Sequence, residues 1–192
     1  MSDLLQQEKS LCRACCRAAA PSPTAEESAA LCRQVLALPE YRAASTLLVF
    51  YGMPDEPDTR ALLSAALADG KRVCLPRWAG RGVMQARRVP SMAALRPDRW
   101  GIPAPGENCP VVPPEALELI VAPCVACTPD GVRLGRGAGY YDRYTAGLRV
   151  PVAVLCPAAR LLPALPAEPH DRRAELVVTE TAVFRPGRAD ST

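Results

Sequence analysis

The chain has 192 residues and a formal net charge of +3, and hydrophobic residues make up 49% of it. This length suits one compact domain with its own core rather than two large domains. The composition excludes a disordered chain, and the sequence lacks the run of about 18 apolar residues that spans a membrane. The basic residues are scattered and the chain has only two Phe and two Trp, so we expect no nucleic-acid partner.

The predicted cellular compartment follows from the N-terminal residues and the cysteines. No basic segment precedes an apolar one near the N-terminus, so we expect a cytoplasmic rather than a secreted protein. Nine cysteines, an odd number, favour reduced thiols over a disulfide framework. Cys124 and Cys127 form a C-x-x-C pair, but no second pair or histidine stands at ligand spacing, which disfavours zinc. His170, the only histidine, has no nucleophile paired with it in the sequence.

Two helices are predicted at the start of the chain. Residues 3–20 carry apolar and small residues at helical spacing, and two prolines then disfavour continuation. Thr24 and Glu27 form the capping-box pattern that opens a second helix. This helix is expected to run toward Leu38, which precedes another proline.

The rest of the chain predicts short strands alternating with helices. Asp58 can cap a helix that ends near Leu67, with Gly70 at its carboxyl end. Proline and glycine make residues 97–114 a long irregular connection. The predicted strands are short apolar or alternating runs at 45–51, 73–75, 83–89, 117–122, 150–155 and 176–179.

These elements indicate an α/β fold. Buried strands between helices predict a three-layer domain in which a mostly parallel sheet is flanked by helices. We expect one such domain over residues 1–184. Residues 185–192 are predicted to form a loose C-terminal tail.

A glycine-rich segment carries the clearest functional pattern. Three glycines at alternate positions let the backbone approach a ligand closely and turn N–H groups toward an anion. A helix that starts after them would add further N–H groups, and two arginines would add planar donors for phosphate. The spacing matches neither the dinucleotide fingerprint nor the P-loop, and an ordinary tight turn is the alternative. The residues concerned are Arg133, Gly135, Arg136, Gly137, Gly139 and Tyr140.

The first predicted helix carries a cationic stripe. Lys9, Arg13 and Arg17 recur every four residues, and like charges at this spacing repel by about a few tenths of a kcal/mol per pair. Leu5, rather than an acid, stands four positions before Lys9. The repulsion favours an anionic ligand, and a solvated helix face is the alternative.

Three acidic residues are candidates for ligand or metal contacts. Glu56 follows a predicted strand at its carboxyl end, where open α/β sheets bind ligands, although a solvated loop carboxylate is the commoner case. Asp142 can hold Mg²⁺ beside bound phosphates, or it can complement a helix N-terminus. Asp171 is open to the same two interpretations.

Together these segments resemble the 5-formyltetrahydrofolate cyclo-ligase family, also called methenyltetrahydrofolate synthetases. The resemblance covers nearly the whole chain, and its most specific motif is Arg-Leu-Gly-Arg-Gly-x-Gly-Tyr-Tyr-Asp at 133–142. Weaker motifs follow the family's order: Lys9 with Arg13, Tyr51 with Glu56 and Thr59, Gly70-Lys71, Leu75-Pro76-Arg77, Trp100-Gly101-Ile102-Pro103, Glu168, His170-Asp171 and Thr179-Glu180.

The resemblance implies an ATP- and Mg²⁺-dependent ligase that converts 5-formyltetrahydrofolate to 5,10-methenyltetrahydrofolate and releases ADP and phosphate. In this chemistry the formyl oxygen takes the γ-phosphoryl group, the N10 amine attacks the activated carbon, and phosphate leaves as the ring closes. The protein must align two ligands and neutralise polyphosphate charge. The expected partners are 5-formyltetrahydrofolate and ATP, and the expected form is a monomer without membrane or nucleic-acid ligands.

The resemblance also implies site residues by position, without a catalytic side chain among them. Folate binding falls to Tyr51, Glu56 and the loop segment 136–140. The metal-binding acids are Asp142 and Asp171. The nucleotide-binding positions are Lys9, Arg13, Arg133, Leu134, Gly135, Arg136, Gly137, Ala138, Gly139, Tyr140 and Tyr141.

The chain departs from the family pattern at three positions. Ala138 stands where many members have Lys or Gly, so Arg136 or Lys9 would carry more of the phosphate charge. Cys127 replaces a usual Phe, which would weaken aromatic packing around the folate, and Ala104 replaces a usual Glu. These departures leave open a non-catalytic folate- or nucleotide-binding paralogue. The anion loop alone leaves open an enzyme of related architecture acting on a sugar phosphate or an acyl-CoA.

Overall fold

A computed structural model describes residues 2–80, 82–168 and 171–187, so His170 and residues 188–192 of the predicted tail lie outside the described residues. Among the described helices, none combines the length and apolarity that a bilayer crossing requires. The α-helices within these ranges are α1 (Ser2–Ala19), α2 (Ala25–Ala37), α3 (Pro39–Ala43), α4 (Arg60–Ala68) and α5 (Tyr140–Thr145).

The strands are β1 (Thr46–Val49), β2 (Arg72–Gly80), β3 (Val83–Arg88), β4 (Leu95–Pro97), β5 (Pro103–Pro105), β6 (Val111–Val112), β7 (Leu119–Pro123), β8 (Ala126–Cys127), β9 (Arg133–Leu134), β10 (Val152–Leu155), β11 (Leu176–Val178) and β12 (Val183–Phe184). They form one large mixed sheet and two small ribbons. The main sheet has the order β12-β11-β10-β7-β1-β2-β3-β6, and β4 pairs with β5 and β8 with β9. The five central strands from β11 to β2 are parallel, and the edge strands are antiparallel. The mostly parallel sheet is thus confirmed.

The central strand β1 shows why the domain has three layers. All four of its residues are buried, and successive side chains of a strand point to opposite faces of the sheet. Leu47 and Val49 join the apolar cluster that contains residues of α2, α3 and α4. Leu48 joins the second cluster, which Tyr144 of α5 covers from the other side. Helices therefore cover both faces, as predicted.

The start of α2 confirms the capping box. The Thr24 hydroxyl accepts the Glu27 N–H at 3.1 Å, and the Thr24 N–H donates to the Glu27 carboxylate at 2.7 Å. Beyond the end of α2, Pro39 opens the short helix α3, which the sequence analysis missed. Proline suits this first helical position because its missing N–H would have no intrahelical partner there.

The start of α4 differs from the prediction by one residue. Thr59 rather than Asp58 is the N-cap, and the Asp58 carboxylate accepts the Arg60 N–H at 2.9 Å. The buried Thr59 hydroxyl donates instead to the Phe50 carbonyl at 2.6 Å and accepts the Gly52 N–H at 3.2 Å. Thr59 thereby ties α4 to the loop that follows β1.

The remaining predictions concern the end of α4 and the lengths of the strands. Gly70 adopts the left-handed conformation expected after α4, with φ +72°. Strand β2 extends to Gly80, well beyond the predicted end, because its second half pairs with β3. The segment 97–114, predicted to be irregular, contains β5 and β6, and the β8–β9 ribbon was missed. Strands of two or three residues are too short to show a periodic pattern.

Candidate active site

A cavity of about 230 Å³ lies at the carboxyl edge of the central strands. Its walls come from residues that follow β1 and β7, from the second half of β2, and from the glycine-rich segment before α5. Parallel strands end at the same edge of a sheet, so loops that are distant in sequence meet there. The predicted site residues that line the cavity are Tyr51, Glu56, Arg133, Gly135, Arg136, Ala138, Gly139, Tyr140, Tyr141 and Asp142.

Glu56 is a buried acid of this cavity and not a solvated loop carboxylate. Its side chain is 5% exposed, and Oε1 accepts the Arg136 Nε–H at 2.8 Å. Its second oxygen accepts the Met53 backbone N–H at 3.1 Å. Arg136 also pairs with Asp55. Burial disfavours the guanidinium cation, but Glu56 and Asp55 outweigh this cost and raise the pKa of Arg136.

The glycine-rich segment is shaped by arginine side chains that lie against it. Gly137 has φ +107°, and a Cβ there would lie 3.4 Å from the Arg13 guanidinium. Gly139 caps α5 with φ +65°, and its Cβ would lie 2.7 Å from Arg143 Nη1. A side chain at either position would strain the backbone and crowd a guanidinium. Since α5 has only six residues, the positive charge at this segment comes from these arginines more than from a helix dipole.

The predicted cationic stripe separates into three different environments. Lys9 is buried, and its Nζ lies 2.6 Å from Asp171 Oδ2 and 3.2 Å from Glu168 Oε2. Arg13 donates through Nε–H to the Gly135 carbonyl at 2.8 Å. Arg17 is exposed, so the solvated helix face applies to it. The charges that offset the stripe come from the far end of the chain.

The two acids explain why Lys9 is ionised although it is buried. Burial by itself would lower the pKa of the Lys9 ammonium, because it disfavours the charged form. Hydrogen bonds and charges from Asp171 and Glu168 outweigh that cost and raise the pKa above its ordinary value. Lys9 is therefore a firmly protonated cation, one helical turn before Arg13, which contacts the glycine-rich segment.

The two predicted metal-binding acids each pair with a predicted nucleotide-binding cation. Asp142 Oδ1 lies 2.5 Å from Arg133 Nη2, and Asp171 pairs with Lys9. Both carboxylates are accessible, with side chains 49% and 28% exposed. Within the described ranges, no cluster of three or more potential ligand side chains forms an all-protein metal cage. Mg²⁺ commonly uses one or two carboxylates and completes its shell with phosphate oxygens and water, so each of these accessible carboxylates is a ligand of the type that it binds.

Leu134 and Gly137 are the remaining predicted nucleotide-binding residues outside the cavity lining. The Leu134 side chain is buried, and its carbonyl accepts the Val125 N–H at 2.7 Å. Leu134 thus holds the β8–β9 ribbon, and only its backbone adjoins the glycine-rich segment. Gly137 faces Arg13, as its close approach to that guanidinium shows.

Both tryptophans of the chain line the cavity, which the sequence analysis did not predict. Trp78 donates through Nε1–H to the Tyr140 hydroxyl. The Trp78 and Trp100 rings meet edge to face, with centroids 5.8 Å apart and planes at 76°. Trp100 belongs to the Trp-Gly-Ile-Pro motif of the sequence analysis, whereas no motif contained Trp78. The cavity therefore has an aromatic wall despite the low aromatic content.

Arg160 is a second residue that sequence reasoning missed. It is buried, and its Nη1 donates to the Asp55 carbonyl at 2.7 Å while Nη2 donates to the Pro21 carbonyl at 3.1 Å. These contacts hold the loop of Asp55 and Glu56 against the chain that joins α1 and α2. Arg160 supports the site without lining it.

The cysteines are all free thiols. Cys127 is fully buried in the second apolar cluster and does not line the cavity, whereas Cys124 does. Burial raises the pKa of the Cys127 thiol. The replacement of the family's Phe by Cys127 therefore alters the core behind the cavity wall, not the lining itself. Ala104, the third departure, lies in the lining.

Fold and site together define a class of protein. An α/β domain with a cavity at the carboxyl edge of its parallel strands is an arrangement that binds small molecules. The cavity here combines a buried carboxylate, an aromatic wall and a glycine-rich segment crossed by arginines. The fold and the cavity therefore define a small-molecule-binding α/β domain.

Comparisons with known proteins identify the family. Residues 5–180 match the family model for the 5-formyltetrahydrofolate cyclo-ligase family. A Schizosaccharomyces pombe protein named as a probable 5-formyltetrahydrofolate cyclo-ligase is 31% identical over 176 residues, 83% of this chain and 86% of the relative. The Mus musculus 5-formyltetrahydrofolate cyclo-ligase is 27% identical over 179 residues, 85% of this chain and 87% of the relative.

A solved structure agrees with these sequence matches. The NMR structure of Aquifex aeolicus 5,10-methenyltetrahydrofolate synthetase superimposes with a TM-score of 0.76 and 28% identity, covering 86% of this chain and 84% of that one. The chain belongs to the 5-formyltetrahydrofolate cyclo-ligase family and is an enzyme of the ligase type that this family comprises.

Proposed function

We propose that this enzyme uses ATP and Mg²⁺ to cyclise 5-formyltetrahydrofolate to 5,10-methenyltetrahydrofolate, with release of ADP and phosphate. One contact carries the proposal: Arg136 of the glycine-rich segment donates to the buried Glu56 at 2.8 Å. Through this pair, the segment expected to bind the nucleotide forms a wall of the cavity expected to bind the folate. Phosphoryl transfer between two ligands requires them to be held in such proximity.

In this proposal Glu56 orients the pterin ring. A carboxylate has about four acceptor positions on its two oxygens. Arg136 and Met53 each occupy one position, so acceptor capacity is left for the N–H donors of a pterin. Tyr51 and Tyr140 belong to the same lining and supply aromatic surface for the ring system.

The cations beside the glycine-rich segment are proposed to neutralise the triphosphate. Arg133 and Arg136 belong to this segment, Arg13 contacts it, and Lys9 lies one helical turn before Arg13. Each of the four is held by protein acceptors. Ala138 provides no lysine, but its carbonyl accepts a hydrogen bond from Arg143 at 2.5 Å, so a guanidinium lies beside this position. Positive groups fixed in place before the ligand arrives stabilise charge at little reorganisation cost.

Mg²⁺ is proposed to be held by Asp142 and Asp171, where it would neutralise phosphate charge when bound. The chemical step is the transfer of the γ-phosphoryl group to the formyl oxygen, followed by attack of N10 and loss of phosphate. The protein side chains align the two ligands and balance charge, and we assign none of them as a general acid or base.

We also propose a cytoplasmic monomer, a single domain over residues 1–184, and no membrane or nucleic-acid ligand.

Turnover of purified full-length protein tests the proposal directly. The protein is incubated with 5-formyltetrahydrofolate, Mg²⁺ and ATP, and the methenyl product is followed by its absorbance. Product is expected only with ATP present, and EDTA is expected to abolish its formation. No ATP-dependent product at high enzyme concentration would refute the activity. Folate binding without product would instead identify a non-catalytic paralogue.

A further inference from the structure

The guanidinium of Arg99 lies over both tryptophan rings of the cavity. Its guanidinium carbon lies 3.6 Å from the Trp78 ring centroid and 3.9 Å from the Trp100 ring centroid. Trp78 is itself held by the Tyr140 hydroxyl. Two indole faces therefore restrain a planar cation through cation–π attraction.

The hydrogen-bonding edge of Arg99 is unoccupied by protein groups. In the part of the chain that the structure describes, no carboxylate or carbonyl oxygen accepts a hydrogen bond from its guanidinium, and the residue is exposed. The arginines around the glycine-rich segment behave differently, since Arg133 and Arg136 are ion-paired and Arg143 donates to carbonyls. The two indole planes stand at 76° to each other, so the guanidinium can lie parallel to at most one ring. Its N–H donors that no described protein group accepts are available to a ligand.

Exposure along the cavity indicates where Arg99 lies relative to a bound ligand. Glu56 at one part of the lining is 7% exposed, whereas Trp100 is 55% exposed. The cavity thus runs from a buried acid to an indole at the solvent boundary. Arg99 stacks on that exposed indole and so stands at the mouth of the cavity.

We propose that Arg99 binds a carboxylate of the glutamate tail of the folate substrate, and this inference rests on the proposed function. With the pterin ring at the buried Glu56, the p-aminobenzoyl group follows the aromatic wall and the glutamate reaches the mouth. The tail carries two carboxylates, and a guanidinium fork pairs with a carboxylate through two parallel hydrogen bonds. Because stacking already restrains the Arg99 side chain, little conformational freedom is lost on binding. Arg99 determines specificity for the substrate's tail.

The test compares two substrates that differ only in the glutamate: 5-formyltetrahydrofolate and 5-formyltetrahydropteroate, which lacks it. Arg99→Gln is expected to raise the KM of the glutamate-bearing substrate about tenfold. The KM of the tail-less substrate, the KM for ATP and kcat are expected to stay unchanged. Arg99→Lys keeps the charge but loses the fork, and is expected to give a smaller rise. The matched control is Arg96→Gln, which removes the same charge from a guanidinium that donates to the Ala93 and Leu95 carbonyls.

Three results would overturn the assignment. Equal increases in KM for both substrates would show that Arg99 only positions the tryptophans. No increase for either would show that the stack makes no substrate contact, and an increase confined to ATP would identify the bound anion as a phosphate. If the wild-type protein turns over neither substrate, the proposed activity fails, and the Arg99 assignment is then decided by calorimetric affinities of wild type and variant for the same two compounds.

Discussion

The two lysines in a chain with 23 basic residues occupy positions that suit an ammonium group. Lys9 Nζ contacts the Asp171 and Glu168 carboxylates. Lys71 Nζ donates to the Ala44 carbonyl at 2.6 Å and lies 4.8 Å from the centre of the Tyr41 ring. A compact ammonium directs three donors at converging acceptors, whereas a planar guanidinium suits parallel pairs. Lysine thus stands in two places where arginine geometry fits poorly, one structural and one among the predicted site residues.

Lys9→Arg is expected to raise the KM for ATP about fivefold, because the longer guanidinium cannot occupy the buried position between two acids without shifting α1. Steady-state kinetics at saturating folate measure the effect. Lys71→Arg is the matched control, since Lys71 is remote from the site residues, and its KM for ATP is expected to equal that of wild type. Unchanged kinetics in Lys9→Arg would remove Lys9 from the nucleotide site.

Glu56→Gln is expected to weaken folate binding about tenfold and ATP binding much less. The amide lacks the negative charge that strengthens a hydrogen bond from a pterin N–H. Separate calorimetric titrations of the two ligands measure this. Asp55→Asn is the control, since Asp55 pairs with the same Arg136 but does not line the cavity. Equal losses of both affinities in Glu56→Gln would contradict a folate-specific role.

At the scale of secondary-structure elements, α1 and α2 are held by different forces. Helix α2 buries Leu31 and Val35 in the main apolar cluster. Helix α1 leaves Leu4 and Leu11 exposed, and polar contacts from Lys9 and Arg13 tie it to distant parts of the chain. The position of α1 therefore depends on charge pairing, whereas that of α2 depends on apolar burial and its cap.

Thr24→Ala is expected to lower the free energy of unfolding by about 1 kcal/mol, because it leaves the Glu27 N–H without its capping acceptor. Urea denaturation measures the change. Ser64→Ala, at an exposed position of α4, is the control and is expected to change stability by less than about 0.5 kcal/mol. A Thr24→Ala loss no larger than that of the control would show that the capping box contributes nothing to stability.

At the scale of the whole molecule, ion pairs and hydrogen bonds to aspartates make the free energy of unfolding depend on pH. Burial opposes ionisation of Asp55, but Arg136 outweighs it and lowers the pKa. Hydrogen bonding from Arg60 lowers the pKa of Asp58, and hydrogen bonding from Thr128 is the main cause of the lowered pKa of Asp130. In acid the unfolded chain therefore binds more protons than the folded one, so stability falls as pH falls.

The urea midpoint is expected to decrease as the pH is lowered from about 5 to about 3, since unfolded aspartates titrate near pH ~3.9. Arg136→Gln is expected to flatten this dependence, because Asp55 would lose the cation that lowers its pKa. Arg96→Gln removes the same charge from a guanidinium whose partners among the described residues are carbonyls, and it serves as the control. A midpoint that stays constant or rises on acidification would contradict the assigned ion pairs.

Much of the fold was predictable because its determinants are local. The runs at β1, β7 and β10 are apolar enough to be buried on both faces, which predicts parallel strands. Thr24 with Glu27 marked the start of α2, and the alternate glycines marked the bend before α5. Helix α3 was missed because proline was interpreted only as a stop. The β8–β9 ribbon was missed because its strands have two residues each.

The sequence by itself determined the α/β layering, the glycine-rich segment and the family, since hydrophobic period, capping and motif spacing act between neighbouring residues. Only the tertiary structure decided which charges meet. Lys9 forms ion pairs with Glu168 and Asp171, and Glu56 forms one with Arg136. Such pairs depend on strand order and loop packing, for which short-range patterns carry no signal. The stacking of Arg99 on Trp78 was set in the same way, by the meeting of loops at one edge of the sheet.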